Sequence, residues 1–270
     1  MTTDYPGTDR VPDYRVHGEG RTTLFMLHGA YGDSRYFDDA IARYVSDGLR
    51  VVAWTCPGYG PEPVPDRFSV PLLAEYAATM VRREATENNI VLGHSMGGLI
   101  APRLPALTGE LLDGLILSAS SAGFVNRSDE DKENYLAERV KPITEQGLSV
   151  AEYAGGLLTT MMGPGAAGPL VSRVRDVVGQ MRTEAFLASM RAITEYDSQP
   201  SLRNLTLPTL MVAGELDPAC TAAGMRQMHD LVPGSTFHQI DGVGHYAFAE
   251  AASDFHRVTS EFIFSLSASE

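Results

Sequence analysis

Short apolar segments of β character alternate along this chain with segments long enough to form helices, and this alternation restricts the fold more than any other feature. Most of these segments are almost wholly nonpolar, which is typical of strands buried on both faces of a parallel sheet. Strands separated by helices predict an α/β fold, with a mostly parallel central sheet flanked by helices. Tyr14–Val16 is expected to add an antiparallel edge strand. The other predicted strands are Thr23–Leu27, Arg50–Trp54, Ile90–Leu92, Gly114–Leu117, Thr209–Ala213 and Thr236–Ile240.

The alternation is interrupted between residues 122 and 203, where helical patterns continue but no convincing strand pattern occurs. This interval also contains Met162–Pro169, a segment rich in glycine and proline that is typical of a loop or hinge. A structureless loop of this length would be unusual within a compact domain. We therefore predict that residues 122–203 form a helical cap, or lid, inserted between two strands of an α/β core made of residues 1–121 and 204–270.

The segment Gly93-His94-Ser95-Met96-Gly97 is the strongest local signal, because it follows a predicted strand and precedes a helix-sized segment. A serine between two glycines at such a turn is raised above the sheet edge. It also lies at the N-terminus of a helix, where backbone N–H groups favour developing negative charge. This arrangement predicts Ser95 as a nucleophile.

A nucleophilic serine needs a base, and the base needs an acid that orients it. Among the seven histidines, His245 follows the last predicted strand, in a turn that contains two glycines. The carboxyl ends of strands are where α/β sheets place their sites. Asp217 also follows a predicted strand end, with Glu215 as a weaker competitor in the same turn. We predict His245 as the base and Asp217 as the acid.

Two backbone N–H groups are expected to stabilise the oxyanion that forms when such a serine attacks an acyl carbon. One belongs to Met96, directly after the nucleophile. The other belongs to Ala30, in the turn His28–Gly32 that follows an early strand. His28 is then expected to shape this turn rather than to transfer protons.

Taken together, these segments resemble the soluble α/β-hydrolase superfamily, in its group of small capped serine esterases, lactonases and carbon–carbon bond hydrolases. The resemblance covers nearly the whole chain outside the predicted cap, and it includes the order Ser95, Asp217, His245 along the sequence. It implies a catalytic triad of these three residues and an oxyanion hole at Ala30 and Met96. The matching segments are HGAYG at 28–32, GHSMGG at 93–98, GELDP at 214–218 and GVGHYAF at 242–248.

Charge and composition exclude classes of partner without identifying a substrate. The chain of 270 residues has a formal net charge of −13, which disfavours binding to nucleic-acid backbones and anionic membrane surfaces. Its apolar runs are far shorter than the ~20 residues that span a bilayer, and its first ten residues lack the apolar core of a secretion signal. Two cysteines cannot form a disulfide framework, although one bridge stays open. We expect a cytoplasmic protein whose partner is a small-molecule substrate, and the oligomeric state is left open.

The predicted reaction is hydrolysis of an ester, a lactone or an activated carbon–carbon bond of a small-to-medium hydrophobic substrate through an acyl-enzyme. Neither a metal nor a redox cofactor is implied, because the histidines lack close ligand spacing and the chain has no dinucleotide-binding motif. Two alternatives stay open: a cofactor-free oxygenase or perhydrolase on the same fold, and a non-catalytic ligand sensor. Ser128–Glu138 is predicted to be a solvated helix face. The candidate pocket residues, between sheet edge and cap, are Tyr31, Tyr153, Met161, Met162, Phe186 and Met190.

Overall fold

A seven-stranded sheet forms the centre of the computed structural model, which describes residues 10–124 and 127–267. The strand order is β1-β3-β2-β4-β5-β6-β7, with β1 antiparallel to β3 and all other neighbours parallel. The predicted α/β fold with a mostly parallel sheet is therefore confirmed, including the antiparallel edge strand. The strands are β1 (Asp13–His17), β2 (Thr22–Leu27), β3 (Arg50–Thr55), β4 (Asn88–His94), β5 (Gly114–Ser118), β6 (Thr209–Gly214) and β7 (Thr236–Ile240).

Helices connect the parallel strands and flank the sheet. Pro102 and Pro105 divide the segment after β4 into two short helices separated by the 3₁₀ turn Ala101–Arg103, because proline lacks the N–H group that a helix interior requires. The helices are α1 (Asp38–Ser46), α2 (Val70–Glu84), α3 (Met96–Ile100), α4 (Leu104–Thr108), α5 (Asp129–Thr144), α6 (Val150–Met161), α7 (Pro169–Gly179), α8 (Thr183–Thr194), α9 (Gln199–Arg203), α10 (Ala222–Leu231), α11 (Ala247–Glu250) and α12 (Ala252–Ser267). Two further 3₁₀ turns are Ser34–Phe37 and Gly109–Leu111.

Burial along the strands explains their composition. Every residue of β5 and of β6 is buried, and both strands lie inside the sheet with a neighbour on each side. The edge strand β7 is mostly half-buried and has the mixed sequence TFHQI. Strands covered on both faces need apolar side chains throughout, whereas an edge strand also meets solvent.

The segment between β5 and β6 is helical, as the sequence predicts, and contains the five helices α5 to α9 among its described residues. Helix α6 begins with a capping box in which Ser149 and Glu152 satisfy each other's backbone N–H groups. Apolar residues of α6 and α7, including Leu158 and Val174, are buried. These residues belong to the same hydrophobic core as the residues of the sheet, and the bounds 122–203 of a separate cap stay a prediction.

The connections of β2 and β4 create a crevice at the carboxyl edge of the sheet. These strands are neighbours, but the chain continues from β2 to β3 on one side and from β4 to β5 on the other. Their connections therefore diverge, and open α/β sheets bind ligands at such a point. The loops that follow β2 and β4 contain Ala30 and Ser95.

Two sequence expectations concern membranes and disulfides. Within residues 10–124 and 127–267, no helix is both long and apolar enough to cross a membrane. Cys56 and Cys220 are both free thiols, so the single disulfide that the sequence leaves open is not formed.

Candidate active site

Ser95 occupies a strained turn between β4 and α3. Its φ angle is 54°, a left-handed conformation that costs a residue with a side chain about 1–3 kcal/mol. Three hydrogen bonds hold the turn in place: the Ser95 N–H donates to the Ser118 carbonyl, while the Ser95 carbonyl accepts from the Gly98 N–H and the Ser120 hydroxyl, each at 2.9 Å. The neighbouring strand β5 thus fixes a conformation that Ser95 would not adopt alone.

Close packing around this turn explains two of its neighbouring glycines. A Cβ atom on Gly97 would overlap the carbonyl oxygen of Leu27, at the end of β2. A Cβ atom on Gly29 would lie 2.8 Å from the Cβ atom of Ser95. The loop after β2 therefore passes directly against Ser95, and only glycine permits this approach.

His245 and Asp217 form a buried hydrogen-bonded pair. Nδ1 of His245 lies 2.7 Å from Oδ2 of Asp217, and the two residues are 1% and 3% exposed. The other carboxylate oxygen, Oδ1, accepts the N–H groups of Ala219 and Cys220 at 2.8 and 3.0 Å. Each oxygen therefore has a fixed partner, and the carboxylate holds the imidazole in one orientation.

The electrostatics of Asp217 favour the ionised carboxylate. Burial alone would raise its pKa, but the His245 charge and hydrogen bond, together with the N–H groups of Cys220 and Ala219, outweigh burial and lower the pKa. An ionised Asp217 can only accept, so Nδ1 of His245 carries the proton that it donates. The other ring nitrogen, Nε2, is then left to accept a proton.

One cavity of about 270 Å³ brings the predicted site residues together. Ser95 and His245 line it, and so do Ala30 and Met96. Asp217 is not among the lining residues, because it lies behind the imidazole that it orients. Four of these five residues therefore share one space, although they come from three separate parts of the sequence.

His28 orients the peptide group that carries the Ala30 N–H. Nε2 of His28 accepts the Cys56 N–H at 2.9 Å, so the neutral ring carries its proton on Nδ1. Nδ1 lies 2.8 Å from the carbonyl oxygen of Gly29 and donates to it. The Gly29–Ala30 peptide is trans, so the Ala30 N–H points away from that carbonyl oxygen. This geometry agrees with the expectation that His28 shapes the turn.

The environment of His28 predicts a loss of stability in acid. Complete burial lowers the pKa of His28 to about 4 from 6.5, so the unfolded chain binds the proton more readily. Its contribution to the free energy of unfolding is full above pH 6.5 and is lost towards pH 4, with about 3 kcal/mol at stake. Urea unfolding at several pH values, followed by the fluorescence of Trp54, 5.9 Å from the His28 ring, would measure the loss.

A His28→Gln variant is expected to lose stability less steeply between pH 6.5 and 4 than the wild type. Burial also lowers the pKa of His94, so part of the acid sensitivity should persist in this variant. His238→Gln, on the edge strand β7, is the matched control and should keep the wild-type slope. Equal slopes for His28→Gln and the wild type would contradict the prediction.

The predicted pocket residues divide into two groups. Tyr31, Met161 and Met190 line the cavity. The other three predicted residues are not among those that line it: Tyr153, Met162 and Phe186. Phe186 is fully buried, with its ring between those of Tyr31 and Tyr153, at 5.4 and 5.9 Å between centroids. Tyr153 borders a different, more open depression, and Met162 is buried at the end of α6. Phe186 therefore packs behind the lining residue Tyr31.

Sequence reasoning missed several polar residues of the cavity. Arg127, Tyr135 and Arg139 line it, although Tyr135 belongs to the run Ser128–Glu138 that was predicted to be a solvated helix face. Helix α5 has no fully buried residue, and its sequence pattern is dominated by charge. The only available signal was the isolated aromatic residue Tyr135 within this charged run.

Glu250 is a second residue that the sequence does not reveal. Its Oε2 accepts the N–H groups of Gly163 and Gly244 at 2.7 and 2.9 Å, and its Oε1 accepts that of Tyr246 at 2.9 Å. The backbone N–H of His245 itself donates to the Met161 carbonyl at 2.8 Å. Hydrogen bonds to Glu250 thus hold the backbone of the loop directly before and directly after His245.

The side chains of Asp217, Cys220 and His245 each offer a donor atom, and these atoms lie within 4.8 Å of one another. Such a set resembles a metal site in its residue types. However, Asp217 and His245 already satisfy each other through their hydrogen bond. A metal would have to displace this bond, so we assign the pair to orientation of the imidazole.

Comparison with known proteins agrees with the fold. The sequence model of the alpha/beta hydrolase family matches residues 24–258, which include most of β2, the strands β3 to β7 and the helical insertion. The chain is 24% identical over 254 residues to the pimeloyl-[acyl-carrier protein] methyl ester esterase of Vibrio cholerae, covering 92% of this chain and 96% of that protein.

A second sequence relative and a solved structure are also described as hydrolytic enzymes. The 2-hydroxy-6-oxo-6-(2'-aminophenyl)hexa-2,4-dienoic acid hydrolase of Metapseudomonas resinovorans is 24% identical over 272 residues, covering 93% of this chain and 86% of that protein. Among solved structures, an esterase from Exiguobacterium antarcticum superposes with a TM-score of 0.82 at 20% identity, over 93% of this chain and 94% of that one. The chain therefore belongs to the alpha/beta hydrolase family and is a hydrolase of this fold.

Proposed function

We propose that this protein is a serine hydrolase that cleaves an ester, a lactone or an activated carbon–carbon bond through an acyl-enzyme. The observation that carries the proposal is the meeting of Ser95 and His245 in one cavity, with Asp217 2.7 Å from the far side of the imidazole. A nucleophile, a base and an orienting acid are the groups that acyl transfer requires.

In the proposed mechanism, Nε2 of His245 takes the Ser95 proton as the hydroxyl oxygen attacks the substrate carbonyl carbon. The resulting oxyanion is stabilised by the backbone N–H groups of Ala30 and Met96. His245 then gives the proton to the leaving group. Water, activated by the same imidazole, finally hydrolyses the acyl-enzyme and releases the acid.

The named relatives support the type of reaction. One is described as a methyl ester esterase and another as a hydrolase of a dienoic acid, and both extend over most of the chain. Their descriptions favour hydrolysis over the oxygenase, perhydrolase and sensor alternatives. We also propose that residues 122–203 act as a lid, since Tyr135, Met161 and Met190 from this interval line the cavity.

A fluorophosphonate probe, with mass spectrometry to locate the adduct, tests the proposal directly. We expect covalent labelling of Ser95 together with turnover in a panel of aryl esters and lactones. A folded protein that neither reacts with the probe nor hydrolyses any ester would contradict the proposal and favour a ligand sensor. Oxygen uptake with an aromatic substrate, without ester turnover, would instead indicate an oxygenase.

Glu250 provides a prediction about the positioning of His245. In Glu250→Gln, the amide NH₂ group would face at least one of the three backbone N–H groups that the carboxylate now accepts. The His245 loop should shift, and displacements of this kind lower kcat by about 10- to 100-fold. Ester kinetics and the thermal unfolding temperature of the purified variant would measure both consequences.

Glu261→Gln is the matched control, because it makes the same chemical change on an exposed part of α12. Its kinetics and unfolding temperature should equal those of the wild type. If Glu250→Gln also kept wild-type kcat, the three hydrogen bonds would not be needed to position the imidazole.

A further inference from the structure

The candidate cavity has a charge opposite to that of the protein. The chain has a formal net charge of −13, yet the charged side chains that line the cavity, among the described residues, are the two arginines Arg127 and Arg139. Neither aspartate nor glutamate appears in this lining. An acidic protein therefore presents two cations at the place where a substrate would bind.

The two arginines stack on a pair of aromatic rings, and we call Phe124, Arg127, Tyr135 and Arg139 the arginine cluster. The rings of Phe124 and Tyr135 lie 4.4 Å apart between centroids. The Arg139 guanidinium lies 3.5 Å from the Tyr135 centroid, and that of Arg127 lies 4.7 Å from the Phe124 centroid and 6.0 Å from that of Tyr135. Stacking uses the faces of the guanidinium groups and leaves their in-plane N–H groups to donate hydrogen bonds.

Acidic side chains of the protein do little to neutralise this pair. Among the described residues, Arg139 has one ion-pair partner, Glu138, whose carboxylate lies 3.8 Å away on a side chain that is 77% exposed. One Arg139 nitrogen donates to the Tyr135 carbonyl at the long distance of 3.4 Å. In the part of the chain that the structure describes, Arg127 forms no ion pair. Two like charges on one cavity wall, with a single exposed carboxylate as counterion, favour binding of an anion.

The arginine cluster, the reactive groups and the apolar lining of the cavity come from different elements of the fold. The cluster belongs to the helical insertion, whereas Ser95 and His245 belong to loops at the sheet edge. Apolar side chains of α6 and α8 complete the cavity, among them Leu157, Met161, Met190 and Ile193. A ligand that fills this space therefore meets the reactive groups, several apolar side chains and two guanidinium groups.

We propose that Arg127 and Arg139 bind an oxyanion group carried by the acyl part of the substrate. This inference rests on the proposed hydrolase function and specifies its substrate as a half-ester in which an apolar spacer joins the scissile ester to a carboxylate or a phosphonate-like group. Guanidinium groups bind both oxyanions through paired N–H donors. The small-to-medium hydrophobic substrate expected from the sequence thereby gains one anionic terminus.

Three ethyl esters with the same alkyl spacer test the proposal. They end in a carboxylate, a phosphonate or a neutral primary amide, and release of ethanol reports turnover of each. For the wild type, kcat/KM should be about tenfold or more higher for at least one anionic ester than for the amide, mainly through KM. The ratio of carboxylate to phosphonate then distinguishes the two sources of negative charge.

The double variant Arg127→Gln with Arg139→Gln should reduce the anionic preference to near unity, because kcat/KM for the anionic esters falls towards that for the amide. Its circular dichroism and thermal unfolding temperature, compared with those of the wild type, show whether the variant is folded. The charge-matched control is Arg226→Gln with Arg257→Gln. Arg226 stacks on Phe237 at 4.2 Å, away from the cavity, so this control should keep the wild-type preference.

Two outcomes would overturn the arginine proposal: equal kcat/KM for charged and neutral esters in the wild type, or an anionic preference that survives in the double variant. If no ester is hydrolysed and Ser95 is not labelled, the proposed hydrolase function fails instead. Calorimetric binding of the corresponding dicarboxylate and of its phosphonate analogue to the wild type and to the double variant then decides the anion site separately. Binding that depends on the arginines supports the site, and absent or arginine-independent binding of both anions overturns it.

Discussion

Ser95→Ala is expected to lower kcat for ester hydrolysis on the order of 10⁴- to 10⁶-fold, because the variant lacks the oxygen that forms the acyl-enzyme. Alanine has the same backbone requirements at a φ of 54°, so the fold should persist with a change of about 1 kcal/mol or less in the free energy of unfolding. Steady-state kinetics would measure the activity, fluorophosphonate labelling the reactivity of the nucleophile, and urea unfolding the stability. Activity and labelling should disappear while stability remains.

Ser121→Ala is the matched control for this experiment. Ser121 also lines the cavity, and its hydroxyl accepts only a long hydrogen bond from the Gly123 N–H at 3.3 Å. This variant should retain labelling and most of the activity. If Ser95→Ala kept turnover within tenfold of the wild type, or if the adduct moved to Ser121, Ser95 would not be the nucleophile.

Asp217→Asn is expected to lower kcat by about 10³- to 10⁴-fold through the protonation state of His245. The N–H groups of Ala219 and Cys220 hold one oxygen of residue 217, so they should keep the amide oxygen of asparagine in that position. The amide NH₂ group would then face Nδ1 of His245 and donate to it. The imidazole proton would have to move to Nε2, which could no longer accept the Ser95 proton.

The pH dependence of kcat/KM for Asp217→Asn would measure this change. The kinetics of variants at two other acidic residues, Asp241 and Glu215, complete the test. Asp241→Asn makes the same change just after β7, where the carboxylate accepts a hydrogen bond from the Gln239 side chain, and it should have wild-type kinetics. Glu215→Gln should have a smaller effect than Asp217→Asn, because Oε2 of Glu215 accepts the Gly242 N–H at 2.8 Å. A larger loss for either variant than for Asp217→Asn would reassign the acid.

The sequence predicts the fold well because local residue patterns are sufficient for it. A strand buried on both faces must be apolar along its length, so segments such as Gly114–Leu117 are visible without tertiary information. The turn around Ser95 is visible for a similar reason, since Gly97 is required where α3 approaches Leu27. These constraints act over short stretches of chain and leave a direct mark on residue type.

The cavity wall is harder to predict, because it depends on how elements of the insertion pack on the sheet. Phe186 and Met190 are one helical turn apart on α8, yet only Met190 lines the cavity while Phe186 packs behind it. Arg139 reaches the cavity from a helix whose sequence pattern is that of a solvated surface. A helical period identifies a face, but it does not identify which other element covers that face.

By itself the sequence determined the α/β sheet, the position of the helical insertion and the four loops that carry the candidate nucleophile, base, acid and oxyanion donors. Each depends on local backbone geometry or on continuous burial, which fix residue types directly. The tertiary structure alone placed Ser95 and His245 in one cavity, with Glu250 and His28 holding the surrounding loops and Arg127 and Arg139 at its wall. These relations join residues far apart in the chain, and their chemistry arises from distances and shared burial that no local pattern encodes.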